Sequence, residues 1–319
     1  MNNVVSAARD ENLAHAADSR QRGGGPAEAT KLPMDPGRRF TDPMTTAEAP
    51  VGEQTVTQRL LDTAAARSAH VALLGGSAPA SCSYPELAVL LQRAAAGLAW
   101  RGVRPRDVVG VYVADAASYI LACHAIRGAG GVPTPVEAQL SIPEIAGQLA
   151  DCGARMLITS PPCAAAALAA ADRSWVRQVI SFGEAPGATP FSSLLGLGSM
   201  RPTPVRAHEL TLLPYVRRAD GSLGQAGITH LELHDRLGRL GVAAGITERD
   251  VVLAVPPTGD GRAYTELIDH ALLRGSMVVA VQTCDLAAAA SAHQGTAAIV
   301  PYGVEIEVSP PLRLLVIDG

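Results

Sequence analysis

Short runs of β-branched residues alternate with helical patterns from Gln58 onward, and this alternation restricts the fold more than any other feature of the chain. Val108 to Val113 is an apolar run that fits a strand buried on both faces, and a helical pattern follows from about Ala116 to Arg127. Strands separated by helices favour parallel sheets that are covered on both sides. The sequence therefore predicts an α/β fold of layered parallel or mixed sheets flanked by helices, with two layered halves that meet between residues 160 and 210.

Two capping boxes mark helix starts. Ser83 precedes Glu86 by three positions, Ser141 precedes Glu144 in the same way, and each box has proline in the first helical turn. The apolar runs between helical patterns predict further strands at 132–136, 155–159, 178–182, 210–215, 251–255, 277–281, 297–302 and 312–317.

Charge and cysteine content exclude several classes of protein. The 26 basic and 30 acidic residues give a net charge of −4, which argues against binding nucleic acid or anionic membrane by bulk charge. The five cysteines lie far apart without a CxxC pair, so we expect a reduced chain with buried thiols and neither disulfides nor zinc. No apolar run approaches the roughly 18 to 20 residues of a membrane span, and charges occupy the place of a signal peptide's apolar centre. We predict a cytoplasmic protein with no nucleic-acid or membrane partner.

Residues 1–50 differ in composition from the rest of the chain. They are rich in Gly and Pro, carry scattered charge and hold few large apolar side chains, so they can bury too little surface to offset the entropy of ordering. We predict a disordered leader over 1–50 and one α/β domain over 51–319.

Four motifs between Ser83 and Thr159 occur in a fixed order. They are Ser83-Tyr84-Pro85-Glu86-Leu87, Gly102 to Val109, Ala129 to Pro135, and Cys152-Gly153-Ala154-Arg155. In this order and spacing they resemble the N-terminal part of the adenylate-forming superfamily of AMP-dependent synthetases and ligases. The superfamily includes acyl- and aryl-CoA synthetases, fatty acyl-AMP ligases, luciferases and peptide-synthetase adenylation domains. The resemblance implies the fold of the N-terminal domain of acyl-CoA synthetases. It also implies ATP with Mg, and CoA, as cofactors if any family activity remains.

The superfamily binds ATP phosphates with a loop of Tyr, a Ser/Gly/Thr-rich run and Gly-x-Pro-Lys-Gly, followed shortly by Thr-His. Small residues let main-chain N–H groups approach the phosphates, and the lysine neutralises charge. The segment from Tyr215 to His230 aligns with this loop without a gap, and Tyr215, Gly221, Thr229 and His230 match it. Positions 216–220 carry Val, Arg, Arg, Ala and Asp, and Gly224 replaces the lysine.

Lysine is almost absent from the chain. Among the 26 basic residues the single lysine is Lys31, which lies in the predicted leader. Loss of a charge-assisted lysine contact weakens phosphate binding by roughly 1.5 to 3 kcal/mol. The resemblance therefore implies a degenerate phosphate loop, and we assign no catalytic and no metal-binding residue. The residues implied for nucleotide binding are Tyr215, Arg217, Arg218, Gly221, Thr229 and His230.

The centre of this segment has two interpretations. Asp220-Gly221 is typical of a simple turn between two strands, which we expect in preference to a working phosphate loop. Arg217 and Arg218 could form an anion fork in place of the lysine, whereas we expect a solvated basic pair on a loop.

Three other groups of reactive side chains could bind a metal or act in catalysis, but simpler structural roles are expected for each. His230 and His234 would share a helix face, but no third ligand or HExxH motif accompanies them, so we expect capping and surface roles. Cys123 and His124 are adjacent within a predicted helix and point in different directions, which favours a buried thiol over a nucleophile. Asp260 is expected to cap the helix that follows it.

The apolar run at 312–317 resembles a strand in the middle of the superfamily's sequence. The superfamily's acyl pocket and mobile C-terminal domain come after this strand, so the resemblance over residues 53–319 covers roughly the first half of a complete member. We hypothesise a truncated, inactive relative, a pseudoenzyme, that works as a binding or regulatory subunit.

A sheet edge left open at this strand would be covered by association. The expected partners are a second copy of the chain, a full-length adenylating enzyme or an acyl-carrier protein. The alternative hypotheses are residual acid:CoA ligase or adenylating activity, alone or completed by a partner, and a nucleotide- or acyl-ligand binding module.

Overall fold

The computed structural model describes residues 54–67, 70–76, 81–256, 261–301 and 312–317, and the backbone alone at 4–6, 242 and 243. The strands are β1 (Val4–Ser6), β2 (Val71–Leu74), β3 (Ser81–Ser83), β4 (Val108–Tyr112), β5 (Val132–Pro135), β6 (Met156–Thr159), β7 (Gln178–Ser181), β8 (Thr189–Pro190), β9 (Leu210–Leu212), β10 (Tyr215–Arg217), β11 (Leu223–Gln225), β12 (Ile228–Thr229), β13 (Val251–Ala254), β14 (Met277–Ala280), β15 (Ala297–Pro301) and β16 (Arg313–Ile317). The helices are α1 (Val56–Ala66), α2 (Tyr84–Trp100), α3 (Ala116–Gly128), α4 (Ile142–Asp151), α5 (Ala164–Ala171), α6 (His230–Ala244), α7 (Gly261–Arg274) and α8 (Leu286–His293).

Two large sheets form the framework. A five-stranded sheet has the order β5-β4-β6-β7-β8, and all of its neighbouring strands are parallel. A seven-stranded sheet has the order β1-β16-β15-β13-β14-β2-β3 and is parallel except for the antiparallel pair β2 and β3. The predicted class, layered parallel and mixed sheets flanked by helices, is confirmed.

The two sheets interleave along the chain. β8 is the last strand of the five-stranded sheet and lies inside the predicted junction at 160–210. However, β2 and β3 precede that sheet in sequence and join the seven-stranded one. The sheets are therefore not two consecutive segments.

The main core lies between the sheets. Val109 and Ile158 of the five-stranded sheet share this core with Val252 of the seven-stranded sheet and with residues of α1, α2, α3 and α7. Every residue of α3 is buried there. Leu157 and Leu253, one position away in their strands, face outer cores instead. Because successive strand residues point to opposite faces, both faces must be apolar, which explains the unbroken apolar runs of the sequence.

Helices cover both outer faces. α4 and α5 pack on the five-stranded sheet, and α8 packs on the seven-stranded sheet. The start of α4 is the predicted capping box: the main-chain N–H of Ser141 donates to Oε2 of Glu144 at 2.9 Å, and its hydroxyl donates to the same oxygen at 2.7 Å. Ser83 and Glu86 form the same box at the start of α2. Both predicted helix starts are confirmed.

The predicted strand at 210–215 is wrong as a single element. Pro214 divides it into β9, which pairs with β12, and β10, which pairs with β11. Proline has no N–H to donate to a strand ladder, so the predicted strand is interrupted at Pro214.

The edge of β16 is paired rather than open, because β1 runs parallel to it with Val5 opposite Leu315. Apart from Val4–Ser6, the predicted leader lies outside the described residues, as does Asp260. None of the described helices combines the length and apolarity needed to cross a membrane.

The expectation that the cysteines are buried thiols is wrong for one of them. Cys82, Cys123 and Cys163 are buried and Cys152 is half-buried, but Cys284 is exposed. Cys284 belongs to a single 3-10 turn, Thr283–Asp285, that contributes no buried residue.

Candidate functional site

The segment aligned with the phosphate loop is a closed β-hairpin. Tyr215 pairs with Gln225 and Arg217 pairs with Leu223 in antiparallel register. The main-chain N–H of Arg218 donates to the carbonyl of Ser222 at 2.8 Å, and Gly221 sits in the turn with φ of +81°. The predicted turn at Asp220-Gly221 is therefore present, and glycine occupies the position with left-handed backbone.

Side-chain contacts fix this turn. Oδ1 of Asp220 accepts hydrogen bonds from the main-chain N–H of Ser222 at 2.9 Å and from its hydroxyl at 2.6 Å. These bonds lower the pKa of Asp220, hydroxyl contact first. A carboxylate kept ionised at the tip of the hairpin repels phosphate.

Tyr215 anchors the base of the hairpin to α4. Its hydroxyl donates to Oδ2 of Asp151 at 2.5 Å, and the amide of Gln225 donates to the same oxygen at 2.9 Å. Burial, followed by the hydrogen bond to Asp151, raises the pKa of Tyr215 above its ordinary value. The hydroxyl that matches the superfamily pattern is thus committed to a contact within the fold.

Arg217 is held by a carboxylate of α4. Its Nη2 donates to Oε1 of Glu144 at 3.0 Å, and its Nη1 donates to the carbonyl of Gly221 at 2.9 Å. Glu144 also accepts hydrogen bonds from the hydroxyl and the main-chain N–H of Ser141. These two bonds, followed by the one from Arg217, lower the pKa of Glu144 to about 2. The ion pair is solvent-accessible, with 54% of the arginine and 36% of the glutamate side chain exposed.

Arg218 covers Gly224, the position that the sequence alignment assigns to the superfamily's lysine. A Cβ atom at Gly224 would overlap the guanidinium group of Arg218, and Gly224 itself is buried. The two arginines therefore do not form a fork around a shared anion site, because one binds Glu144 and the other lies across Gly224.

An acidic cleft of about 320 Å³ separates the hairpin from α4. Tyr215 and Gly221 line it from the hairpin, and Glu144 and Asp151 line it from the helix. Its two charged lining residues are both acidic; Glu144 is paired with Arg217, and the charge of Asp151 disfavours a phosphate group in this space.

Thr229 and His230 lie at the start of α6 rather than on the hairpin. Thr229 forms a capping box in which its hydroxyl donates to Oε2 of Glu232 at 3.0 Å. His230 is the first residue of the helix, and desolvation, with the positive charge of Arg127 second, lowers its pKa to about 4. The structure thus divides the six candidate residues between two elements, with four on the hairpin and two at a helix start.

A buried polar cluster was missed by sequence reasoning. Arg127 of α3 donates from Nη1 to Oδ2 of Asp269 in α7 at 2.8 Å. Nε2 of His124 lies 3.2 Å from Oδ1 of Asp269, and its Nδ1 lies 3.1 Å from the hydroxyl of Thr57. The only sequence signal is the spacing of His124 and Arg127 on one face of an otherwise apolar helix.

Two candidate reactive sites, the thiol of Cys123 and the histidines of α6, were compared with the described residues around them. Cys123 is wholly enclosed, and burial raises its pKa to about 12, so the thiol stays protonated. His234 lies 3.1 Å from the guanidinium of Arg59, and no group of three His, Cys, Asp or Glu side chains in the described ranges could hold a metal ion.

Comparisons with known proteins find both sequence relatives and solved structures of the same fold. The profile of the family described as AMP-binding enzyme matches residues 60–215. A feruloyl-CoA synthase from an Amycolatopsis species is 28% identical over 230 residues, which cover 72% of this chain and 44% of the synthase. This chain therefore spans less than half the length of that curated relative.

Two solved structures show the same architecture. A long-chain-fatty-acid-CoA ligase from Archaeoglobus fulgidus superposes with a TM-score of 0.69 at 20% identity, covering 78% of this chain and 51% of the ligase. A benzoate CoA ligase from Burkholderia xenovorans gives a TM-score of 0.67 at 19% identity, covering 78% of this chain and 50% of that one.

Proposed function

Residues 60–215 belong to the AMP-binding enzyme family, which makes this chain a partial adenylate-forming domain. From this we propose that the chain acts as a binding or regulatory subunit and does not itself activate carboxylic acids. The observation that carries this proposal is the closed hairpin at Tyr215–Gln225. Tyr215 and Arg217 bind carboxylates of α4, the tip carries Asp220, and Gly224 aligns with the family's lysine.

Adenylation requires the phosphates of ATP to be held while charge develops on them. In this hairpin Arg217 is neutralised by Glu144, and Asp151 keeps the neighbouring cleft acidic. Both features oppose the charge balance that phosphoryl chemistry needs. A partner of the chain would supply the catalytic centre, and this chain would contribute its surfaces.

Pyrophosphate exchange tests the absence of catalysis. We expect the purified chain to show no acid-dependent exchange of labelled pyrophosphate into ATP with ferulate, benzoate or long-chain fatty acids. Exchange that Arg217→Gln removes and Arg93→Gln retains would overturn the proposal. Arg93 is a suitable control because it is exposed on α2, outside the hairpin and its cleft.

Nucleotide binding without catalysis is tested by releasing Arg217. Glu144→Gln removes the charge that holds the arginine but keeps a residue able to complete the capping box with Ser141. If the hairpin binds ATP through its arginines, calorimetry should show tighter binding in Glu144→Gln and weaker binding in Arg217→Gln. We expect the heat of mixing with ATP to be the same in both variants as in the unchanged chain.

A second candidate function is ligation of an aromatic acid to CoA when a partner completes the domain. The names of two similar proteins, a feruloyl-CoA synthase and a benzoate CoA ligase, support an aromatic substrate class. Exchange that appears with aromatic acids when a full-length adenylating enzyme is added, beyond that enzyme's own rate, would favour this function. It would also contradict a purely structural role.

The partner itself is open to direct measurement. We propose that the chain associates with a second copy, with a full-length adenylating enzyme or with an acyl-carrier protein. Light scattering during size-exclusion chromatography, with and without these partners at tens of micromolar, about the range of typical interface affinities, should show a mass above that of one 32.9 kDa chain. A monomer under all of these conditions would contradict the subunit role.

A further inference from the structure

Three arginines line a cavity of about 220 Å³ at the amino ends of β4, β6 and β7. They are Arg101, Arg155 and Arg177, and Asp107 is the single carboxylate in the lining, so the lining carries two net positive charges. In the part of the chain that the structure describes, none of these arginines forms an ion pair. We call this space the arginine cavity.

Arginines at this edge of a sheet could serve simply to neutralise the carboxyl ends of helices. The main chain already satisfies those ends. The N–H groups of Gly102 and Val103 donate to the last carbonyls of α2, and those of Gly153 and Ala154 donate to the last carbonyls of α4. The last carbonyls of α2 and α4 therefore do not need the guanidinium groups of the arginine cavity as hydrogen-bond donors.

Arg101 is held in place at the edge of the arginine cavity. Its Nη2 donates to the hydroxyl of Ser193 at 3.0 Å, and Gln178 donates to its carbonyl at 3.3 Å, so the residue is fixed in place. Its Nε is buried and has no hydrogen-bond partner among the described residues.

We infer that the arginine cavity binds a phosphate group. A phosphate carries a charge of about −1.5 to −2 near neutral pH, which balances the two net positive charges of the lining. Planar guanidinium groups bind its oxygens in pairs. The volume of about 220 Å³ is below the roughly 300 Å³ of a pocket for a drug-sized molecule, so the cavity fits a small oxyanion or the terminal group of a larger ligand.

The arginine cavity shares no lining residue with the acidic cleft beside the hairpin. Its occupancy is therefore separate from the proposed subunit function, and either can fail without the other.

The chain contains its own reporters of binding. Its two tryptophans are Trp100, directly before Arg101, and Trp175, two positions before Arg177, and they are 70% and 67% exposed. Consecutive Cα atoms are about 3.8 Å apart, so both indole rings are attached within a few ångström of cavity residues. Intrinsic fluorescence should respond to an anion that binds in the cavity.

The test is a fluorescence titration of the full chain with inorganic phosphate, pyrophosphate, AMP and ATP at constant ionic strength set with chloride. We expect a saturable change below about 10 mM for at least one of them. Saturation with phosphate or pyrophosphate but not with AMP or ATP would identify a free anion as the source. Saturation with AMP or ATP alone would identify a nucleotide phosphate.

Two exposed arginines make the matched variants. Arg155→Gln and Arg177→Gln should each weaken binding by about tenfold or more, as for other charge-assisted contacts. Arg173→Gln should leave it unchanged, because Arg173 is exposed, lies as close to Trp175 in sequence as Arg177 does, and is outside the cavity lining.

A non-saturating response to every anion would overturn the inference, as would equal losses in Arg173→Gln and Arg155→Gln. Equal thermal midpoints by circular dichroism would show that the variants are folded.

Discussion

Nη1 of Arg127 donates a hydrogen bond to Oδ2 of Asp269 across 2.8 Å, with only 1% and 2% of the two side chains exposed. Nε of the same arginine donates to the carbonyl of Thr211 at 3.1 Å, so one guanidinium group joins α3, α7 and β9. Burial pushes the pKa of Asp269 upward, but the charge of Arg127, the neighbouring His124 and the hydrogen bond from Arg127 together hold this pKa below its ordinary value. The pair is therefore ionised in the middle of the core.

Removing one member of this pair should destabilise the fold strongly. Asp269→Leu leaves the guanidinium buried without its counter-ion, and we expect a loss of about 3 to 5 kcal/mol in the free energy of unfolding. Arg127→Met should have a similar effect, because it leaves an unpaired carboxylate. Urea denaturation followed by circular dichroism measures both.

The double variant distinguishes pairing from packing. Arg127→Met with Asp269→Leu should be less destabilised than the sum of the single variants by at least about 1 kcal/mol. Additive losses would show that the two charges do not depend on each other. Arg67→Met is the surface control, since Arg67 pairs with a 56% exposed Glu248 and should lose under about 1 kcal/mol.

Protonation of His230 should destabilise the fold in mild acid. Its pKa is about 4 in the folded protein, against an ordinary value of 6.5, mainly because of desolvation and then because of Arg127. The unfolded chain therefore binds more protons between these values, so the stability from neutral His230 is complete above pH 6.5 and falls as the pH drops toward 4. The loss over this window should be about 1 to 3 kcal/mol.

The pH dependence can be assigned by substitution. His270 has a pKa lowered in the same direction by burial and then by Arg274, so the comparison must be between variants. His230→Gln should flatten the fall in the free energy of unfolding between pH 6.5 and 4, whereas His234→Gln, exposed on the same helix, should keep it. An unchanged slope in His230→Gln would rule out this residue as the source.

A single thiol should react rapidly with Ellman's reagent. Cys284 is exposed, whereas burial first of all raises the pKa of Cys82 and Cys152 to about 11 and that of Cys123 to about 12. Because the thiolate is the reacting species, the enclosed thiols should react only when the fold opens. Cys284→Ser should abolish the fast phase and Cys152→Ser should preserve it; a fast phase that survives Cys284→Ser would contradict this assignment.

Local sequence patterns predicted those parts of the fold that depend on neighbouring residues. The capping boxes at Ser83 and Ser141 need residues three positions apart, and the turn at Asp220-Gly221 needs only its own backbone preferences. The apolar runs predicted the buried strands, because a strand covered on both faces carries apolar residues at successive positions.

The features that sequence reasoning missed join distant parts of the chain. Asp269 lies 142 positions from Arg127, and Glu144 lies 73 positions from Arg217. No local pattern carries such a pairing. The hairpin was recognised as degenerate from its lost lysine, but the contacts that hold its arginine became visible only once α4 was placed beside it.

Two helical glycines should respond to alanine in opposite directions. Alanine is favoured over glycine inside helices by about 0.5 to 1 kcal/mol, so this preference alone predicts that both variants are stabilised. At Gly147 of α4 a Cβ atom would have no described heavy atom within 4 Å, and Gly147→Ala should realise that gain.

Gly97 of α2 is different because the chain at Leu194 passes directly over it. A Cβ atom there would lie 2.5 Å from the carbonyl oxygen of Leu194 and 2.7 Å from its Cα. Main-chain atoms cannot swing aside as a flexible side chain can, so Gly97→Ala should destabilise the protein by about 1 to 3 kcal/mol. Thermal and urea unfolding of the two variants should therefore shift in opposite directions. A stabilised Gly97→Ala would mean that Leu194 does not pack against α2 as described.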